Sequence, residues 1–132
     1  IGYGTFLPIE TERVEDHVME EERFTLGEET ARKVNGAKRV VAVGTTATRV
    51  LESVADAEGR IAPVSTSTRL YIYPGYRFRR VDALLTNFHL PKSSLFLLVC
   101  AFAGRELMRE AYEAAVAKRF RFYSYGDCML IL

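Results

Sequence analysis

The residues best suited to chemistry stand where polar side chains interrupt apolar sequence. The stretch TNFHLPKSS, residues 86–94, places Thr86, Asn87 and His89 directly before nine apolar residues, Leu95 to Ala103. Asp82 precedes Ala-Leu-Leu, and Asp127 lies between Gly126 and the apolar CMLIL ending. Buried polar groups need partners, so these five residues either satisfy one another or serve a ligand. An imidazole such as that of His89 can pack as a hydrogen-bonded neutral ring or move a proton.

Two further stretches carry binding chemistry. In VGTTATRVLES a strand, a glycine and a helix start bring backbone N–H groups and the hydroxyls of Thr45 and Thr46 together, which suits an anion, a carboxylate or a ribose. A plain helix capped by Thr45 or Thr46 has the same sequence. Arg49 and Glu52 follow three residues apart, which makes them neighbours on the polar side of that helix. In YRFRRVD, residues 76–82, an extended backbone puts Arg77 and Arg79 on one face and Tyr76, Phe78 and Arg80 on the other. Arginine beside aromatics contacts phosphate and stacks on bases, and the same alternation fits a half-buried edge strand. His17, in an acidic stretch, lacks the companions that a metal site requires, so no metal is expected.

The elements that must position these residues follow from periodicity. Residues 2–9 read as a short strand, and 11–24 as an acidic loop leading into a brief FTL strand. Residues 28–37 read as a helix that opens on two acids and stops at Asn35-Gly36. Val40 to Val43 form a continuous apolar run, expected of a strand buried on both faces. A helix over about 46–56 carries an apolar stripe of Ala47, Val50, Leu51, Val54 and Ala55. Residues 59–67 read as a polar loop, RLYIYPGY as a strand ended by Pro74-Gly75, and 76–86 as an extended segment. Leu95 to Ala103 reads as a helix apolar all round and therefore buried, with Ser93 or Ser94 as its cap. Gly104 breaks it from a second helix whose apolar face holds Leu107, Met108, Ala111, Tyr112, Ala115 and Val116. A last apolar strand closes the chain. Strands alternating with helices predict an α/β fold, a mixed sheet with packed helices.

Composition sets the outer bounds. The chain has 132 residues, 48% hydrophobic and 27% charged, which is ordinary globular composition. Its net charge is only +1, yet residues 10–29 hold nine acids against two arginines, while residues 69–80 hold four arginines and no acid. A local basic strip is compatible with nucleic acid bound on one side, or with a solvated face. Cys100 and Cys128 lack the spacing of a zinc site or a disulfide framework, and the apolar run is too short for a bilayer. A soluble protein of a reducing compartment, the cytoplasm, with no membrane partner, is expected. The chain opens on Ile1, and a fragment lacking its N-terminal partner is expected.

The segments VGTTATRVLES, YIYPGYRF, VDALLTNFHLPKSSLFLLVCAFAGRE and FRFYSYGDCMLIL follow one another in an order that resembles one family, the S-adenosylmethionine:tRNA ribosyltransferase-isomerases of queuosine biosynthesis. GYGTFLPI and EDHVMEEE resemble that family's opening strand and its EDHxM element, so the likeness runs from end to end. Two departures stand out. Glu20 occupies the place of a second histidine found in many members, and Arg69, after STST, stands where an acid or amide is common.

The resemblance implies the following. Residues 1–132 would be the C-terminal portion of an α/β catalytic domain in a larger two-domain enzyme, the N-terminal portion and a small β-domain being absent. S-adenosylmethionine would serve as ribosyl donor, and the partner would be tRNA carrying 7-aminomethyl-7-deazaguanine. The ribosyl group is attached and isomerised to give epoxyqueuosine, with release of adenine and methionine. Such chemistry needs a base at ribose C5′, an acid for departing adenine and donors for the methionine carboxylate. On that basis His89 is the acid–base candidate, with Asp82 and Asp127 as alternatives or partners. Thr45, Thr46, Arg49, Glu52, Thr86 and Asn87 are the substrate-binding candidates, and Tyr73, Tyr76, Arg77 and Arg79 the RNA-side candidates. A non-catalytic RNA-binding module is the alternative. An ordinary methyltransferase is disfavoured, because no strand runs into a GxGxG loop.

Overall fold

The computed structural model describes residues 8–132, so the strand expected over residues 2–9 lies almost wholly outside the described residues. Two sheets organise the rest. In the smaller, β1 (Glu22–Leu26) pairs antiparallel with β3 (Val64–Thr68), in the register Glu22↔Thr68 to Leu26↔Val64. The larger has the order β2-β4-β5. There β2 (Val41–Val43) runs parallel to β4 (Ala83–Asn87), and β5 (Cys128–Ile131) lies antiparallel on the other side of β4. Helices α1 (Glu28–Gly36), α2 (Thr45–Val54), α3 (Ser94–Ala103) and α4 (Arg105–Ala117) complete the expected mixed α/β arrangement.

The main core forms where one face of the larger sheet meets α3 and α4. Ala42, Leu84 and Ile131 from the strands pack with Leu98, Val99, Cys100 and Met108. A second cluster of Leu26, Ala31, Ala55 and Ile61 joins the small sheet to α1 and α2. The other face of the larger sheet is open. Val43 is 69% exposed and Leu130 56%, and the register aligns both with Leu85. The expectation that residues 40–43 are buried on both faces is therefore corrected: Val40 and Ala42 are buried, whereas Val41 and Val43 are not.

Other departures have local reasons. The polar run VSTST, expected as loop, is β3, because its β-branched residues pair along β1 and the Ser65 hydroxyl meets Thr25 Oγ1 at 3.0 Å. The aromatic run after it, expected as a strand, is irregular; Tyr76 N donates to Tyr73 O at 3.1 Å and folds it into a turn. Helix α3 is not buried all round, since Phe96, Leu97 and Phe102 are half-buried. On α4 the buried stripe narrows to Met108 and Ala115, leaving Leu107 and Val116 exposed. Gly104 separates the two helices at φ +91°, a conformation that favours glycine.

Candidate active site at the carboxyl ends of the parallel strands

The parallel pair brings two of the sequence stretches together. Gly44, which follows β2 at φ +91°, donates its N–H to Leu85 O of β4 at 2.8 Å. Thr45 and Thr46 at the start of α2 therefore adjoin Thr86 and Asn87 at the end of β4. Ligands of α/β sheets commonly bind beyond the carboxyl ends of the strands. The expected cap is corrected: Gly44 is the N-cap and neither Thr45 nor Thr46 makes a capping bond. Thr48 instead donates its hydroxyl to Gly44 O at 3.1 Å. Among the described residues no side chain caps the first N–H groups of α2, which point past β2 as at helix starts that receive anions.

Beyond β4 the chain turns His89 inward, where it is 5% exposed. Its Nε2 lies 3.0 Å from Thr86 Oγ1, and its backbone N–H donates to the Tyr112 hydroxyl oxygen at 2.8 Å. Burial lowers the imidazole pKa to about 4 and raises that of the Tyr112 phenol to about 12. Both groups are therefore neutral at neutral pH. Aromatic packing fixes the preceding residue, with the Phe88 ring 5.2 to 5.7 Å from those of Tyr112, Phe120 and Phe122. Downstream, Ser93 accepts from Phe96 N at 3.2 Å and donates to Leu90 O at 2.7 Å. Ser93, not Ser94, therefore caps α3 and pins the loop that carries His89.

The carboxylates of the two aspartates have partners other than His89. The Asp127 carboxylate accepts from Arg121 N, Nε and Nη2, which holds it below its ordinary pKa. Asp127 meets the site through its backbone, whose carbonyl accepts from Asn87 Nδ2 at 3.3 Å. Asp82 lies at the opposite end of β4, exposed, with Oδ2 accepting from Val40 N at 2.7 Å. The intervening strand separates it from Asn87 by about 16 Å at roughly 3.3 Å per residue. Of the five polar residues expected to satisfy one another or serve a ligand, Asp82 takes Val40 N and Asp127 takes Arg121 as its carboxylate's partner.

Arg49 and Glu52 are not surface neighbours. They are 2% and 3% exposed, and each has its own partners. Arg49 Nη1 donates to Glu22 Oε2 at 2.9 Å, and its Nε donates to Leu70 O at 3.0 Å. Burial depresses the guanidinium pKa, against the opposing effect of Glu22. The Glu52 carboxylate accepts from the backbone N–H groups of Arg79, Arg80 and Val81 at 2.8, 3.0 and 2.9 Å. It also accepts from the Tyr76 hydroxyl at 3.2 Å. Helix α2 thus buries its polar side, tying β1 and the 70–81 segment to the larger sheet.

Held by Glu52, the basic strip alternates without being a strand. Arg77 and Arg79 are exposed, while Tyr76, Phe78 and Arg80 are half-buried. Arg79 also donates to Ala55 O at 3.3 Å, and Arg80 bonds the carbonyls of Val34 and Ala37 at the end of α1. Tyr73 stands apart, its ring 5.0 Å from that of Tyr71. Among the described residues, no cluster of three or more His, Cys, Asp or Glu is placed to hold a metal, and no helix is long and apolar enough to cross a membrane.

Comparison with known proteins now adds the family. The model of the queuosine biosynthesis protein family matches residues 1–131. The chain belongs to that family. Within the queuosine biosynthesis family, it is 66% identical over 132 residues to an S-adenosylmethionine:tRNA ribosyltransferase-isomerase of Syntrophus aciditrophicus, covering 100% of this chain and 36% of the relative. To the protein of that name from Rubrobacter xylanophilus it is 58% identical, covering 100% of this chain and 38% of the relative. A crystal structure of an S-adenosylmethionine tRNA ribosyltransferase from Thermotoga maritima matches with a TM-score of 0.75 and 46% identity, over 83% of this chain and 40% of that one. The chain thus spans well under half the length of these relatives.

Sequence reasoning missed three partners of the candidate residues. Tyr112 was legible only as part of an apolar helix face, yet its hydroxyl supports His89. Glu22 was one acid among nine, with nothing local to mark it as the partner of Arg49. Arg121 carried no signal of its pairing with Asp127.

Proposed function

We propose that this chain forms part of an S-adenosylmethionine:tRNA ribosyltransferase-isomerase, specifically the C-terminal portion of its α/β catalytic domain. The whole enzyme would transfer and isomerise the ribosyl group of S-adenosylmethionine onto 7-aminomethyl-7-deazaguanine in tRNA, in the cytoplasm. Epoxyqueuosine-tRNA, adenine and methionine would be the products. The observation that carries this reading is the Gly44–Leu85 hydrogen bond, which sets the α2 N-terminus, without a side-chain cap, beside the end of β4 that carries Thr86 and Asn87 and leads into His89. The family and its relatives' names support the same reading.

In this scheme the N–H groups and hydroxyls of Thr45 and Thr46 receive an anionic or ribosyl part of the substrate, and Thr86 and Asn87 line the opposite side. His89 meets the ribose as a neutral imidazole. With a pKa near 4 the ring is uncharged at neutral pH, so it acts as a base or through a hydrogen bond and not as an imidazolium acid, and another group protonates departing adenine. Arg49 and Glu52 act behind the site by fixing α2 and the basic strip. Arg77 and Arg79 face the RNA.

The test uses the full-length enzyme with S-adenosylmethionine and tRNA bearing the aminomethyl base. Stoichiometric adenine and methionine release, with loss of at least 100-fold in the chemical step for His89→Ala, on the order expected for acid–base catalysis, is the expected result. Tight tRNA binding without adenine release would mark a non-catalytic RNA-binding module instead.

A further inference from the structure

Outside that site the molecule offers a few candidate surfaces. The cavities of about 570 and 610 Å³ around Phe96 are lined mainly by apolar side chains, and nothing in the structure says what covers them. The open sheet face at Val43 and Leu130 has the same limitation. The segment from Tyr71 to Tyr76 is different, because its shape, its aromatic lining and the arginines beside it point to one class of ligand.

Tyr71, Tyr73, Pro74, Gly75 and Tyr76 line a cleft of about 380 Å³, within the range of small-ligand pockets. One side is an aromatic series: His17 meets Tyr71 edge-on at 5.2 Å, and the Tyr71 and Tyr73 rings lie 5.0 Å apart, tilted by 40°. The other side is Tyr76, locked by its hydroxyl bond to Glu52 and by edge contact with Phe78 at 5.1 Å. Between them the turn is closed by Tyr76 N donating to Tyr73 O. Gly75 stands at φ +105°, and among the described residues no atom lies within 4 Å of where a Cβ would sit, so the turn leaves space above it. The Tyr76 side is anchored, because Glu52 also takes the amides of Arg79, Arg80 and Val81 just beyond it.

Charge completes the pattern. Arg77 is exposed immediately after Tyr76 and Arg79 two residues on, while the carboxylates near the cleft act on its inner rings, Glu15 on Tyr71 and Glu52 on Tyr76, so its outer edge is the cationic one. Aromatic side chains beside exposed arginines stack unpaired bases while the arginines take the backbone phosphates, and the stacking tolerates any base because each has a π-face.

We propose that the Tyr71–Tyr76 cleft is a nucleobase-stacking site, in which one heterocycle lies against Tyr73 and Arg77 contacts the adjoining phosphate. The reading rests on the proposed function only for the source of the base, which is an unpaired residue of the tRNA anticodon loop; the adenine of S-adenosylmethionine shares the chemistry and is separated by the test.

The experiment measures binding with the full-length enzyme, using a fluorescent anticodon stem-loop RNA in one arm and S-adenosylmethionine calorimetry in the other. Tyr73→Leu is expected to weaken RNA binding roughly tenfold, since stacking of one base contributes within a range that includes that factor. Tyr73→Phe, which keeps the ring, should stay near wild type. Arg77→Gln should lower the slope of log Kd against log salt by about one, whereas Tyr73→Leu leaves that slope unchanged. Weakened S-adenosylmethionine binding with unchanged RNA binding would assign the stacked base to adenine. Unchanged affinity for both, or an equal loss in Tyr73→Phe and Tyr73→Leu, would overturn the stacking site. Adenine release by the wild-type enzyme reads the activity separately, so failure of the proposed function and failure of this site give different results.

Discussion

His89 Nε2 and Thr86 Oγ1, three residues apart, share a 3.0 Å hydrogen bond in a pocket that leaves the imidazole 5% exposed. Thr86 ends the buried part of β4 and His89 begins the loop, so the bond ties the loop to the strand. The ring pays for this placement with a pKa lowered by burial from 6.5 to about 4.

That shift predicts a pH dependence of stability. Between about 6.5 and about 4 the unfolded chain binds the proton that the folded chain excludes, so stability falls as pH drops through this window. The full contribution is on the order of 3 kcal/mol, and it vanishes above about pH 7. Urea unfolding from neutral to acid pH should show a shallower acid loss for His89→Gln than for wild type. Parallel curves for the two proteins would mean that the imidazole is not buried in its neutral form.

Asp82 lies at the far end of β4 and accepts from Val40 N at 2.7 Å. Asp82→Ala in the full-length enzyme is therefore expected to release adenine at the wild-type rate, with stability lowered by about 1 kcal/mol for the lost bond. A selective fall in kcat without loss of stability would return Asp82 to the reaction.

Arg49 and Glu22 form a pair whose side chains are 3% and 7% exposed. Arg49→Met leaves a carboxylate buried without its cation and should cost about 3–5 kcal/mol. The double variant Arg49→Met with Glu22→Leu should recover most of that loss, because hydrophobic replacement of both members is close to neutral. A denaturant double-mutant cycle measures the coupling directly, and additive losses would show that the pair is not the source of the cost.

Glu52 holds the basic strip through three backbone amides and the Tyr76 hydroxyl. Glu52→Gln turns an N–H group toward donors and should lower stability by about 1–3 kcal/mol. Hydrogen exchange at Arg79, Arg80 and Val81 should accelerate, and RNA affinity should fall while S-adenosylmethionine affinity holds. Unchanged exchange at these amides would mean that the strip is held by something else.

Much of this molecule was legible because local hydrogen bonding leaves local signatures. The helix over 28–37, the helix after Gly44, the Gly104 break and the serine cap before Leu95 all follow from caps, breakers and a 3.6-residue period. The alternation of Arg77 and Arg79 with Tyr76 and Phe78 was also readable, although no strand forms there. The family likeness lay in contiguous motifs and needed no structure.

What the tertiary structure alone decided is who meets whom. Val64–Thr68 is a strand because β1 offers a partner forty-odd residues away in the chain, and its own polar sequence gives no apolar alternation. Arg49 and Glu22 are 27 residues apart, and Asn87 and Asp127 are 40 apart. No period or cap encodes such pairings, because they arise when separate elements exclude water from the same polar groups and each group must take whatever donor or acceptor the packing brings. For the same reason Asp82 and His89, seven positions apart, ended at opposite ends of one strand: the extended backbone that joins them is what keeps them apart.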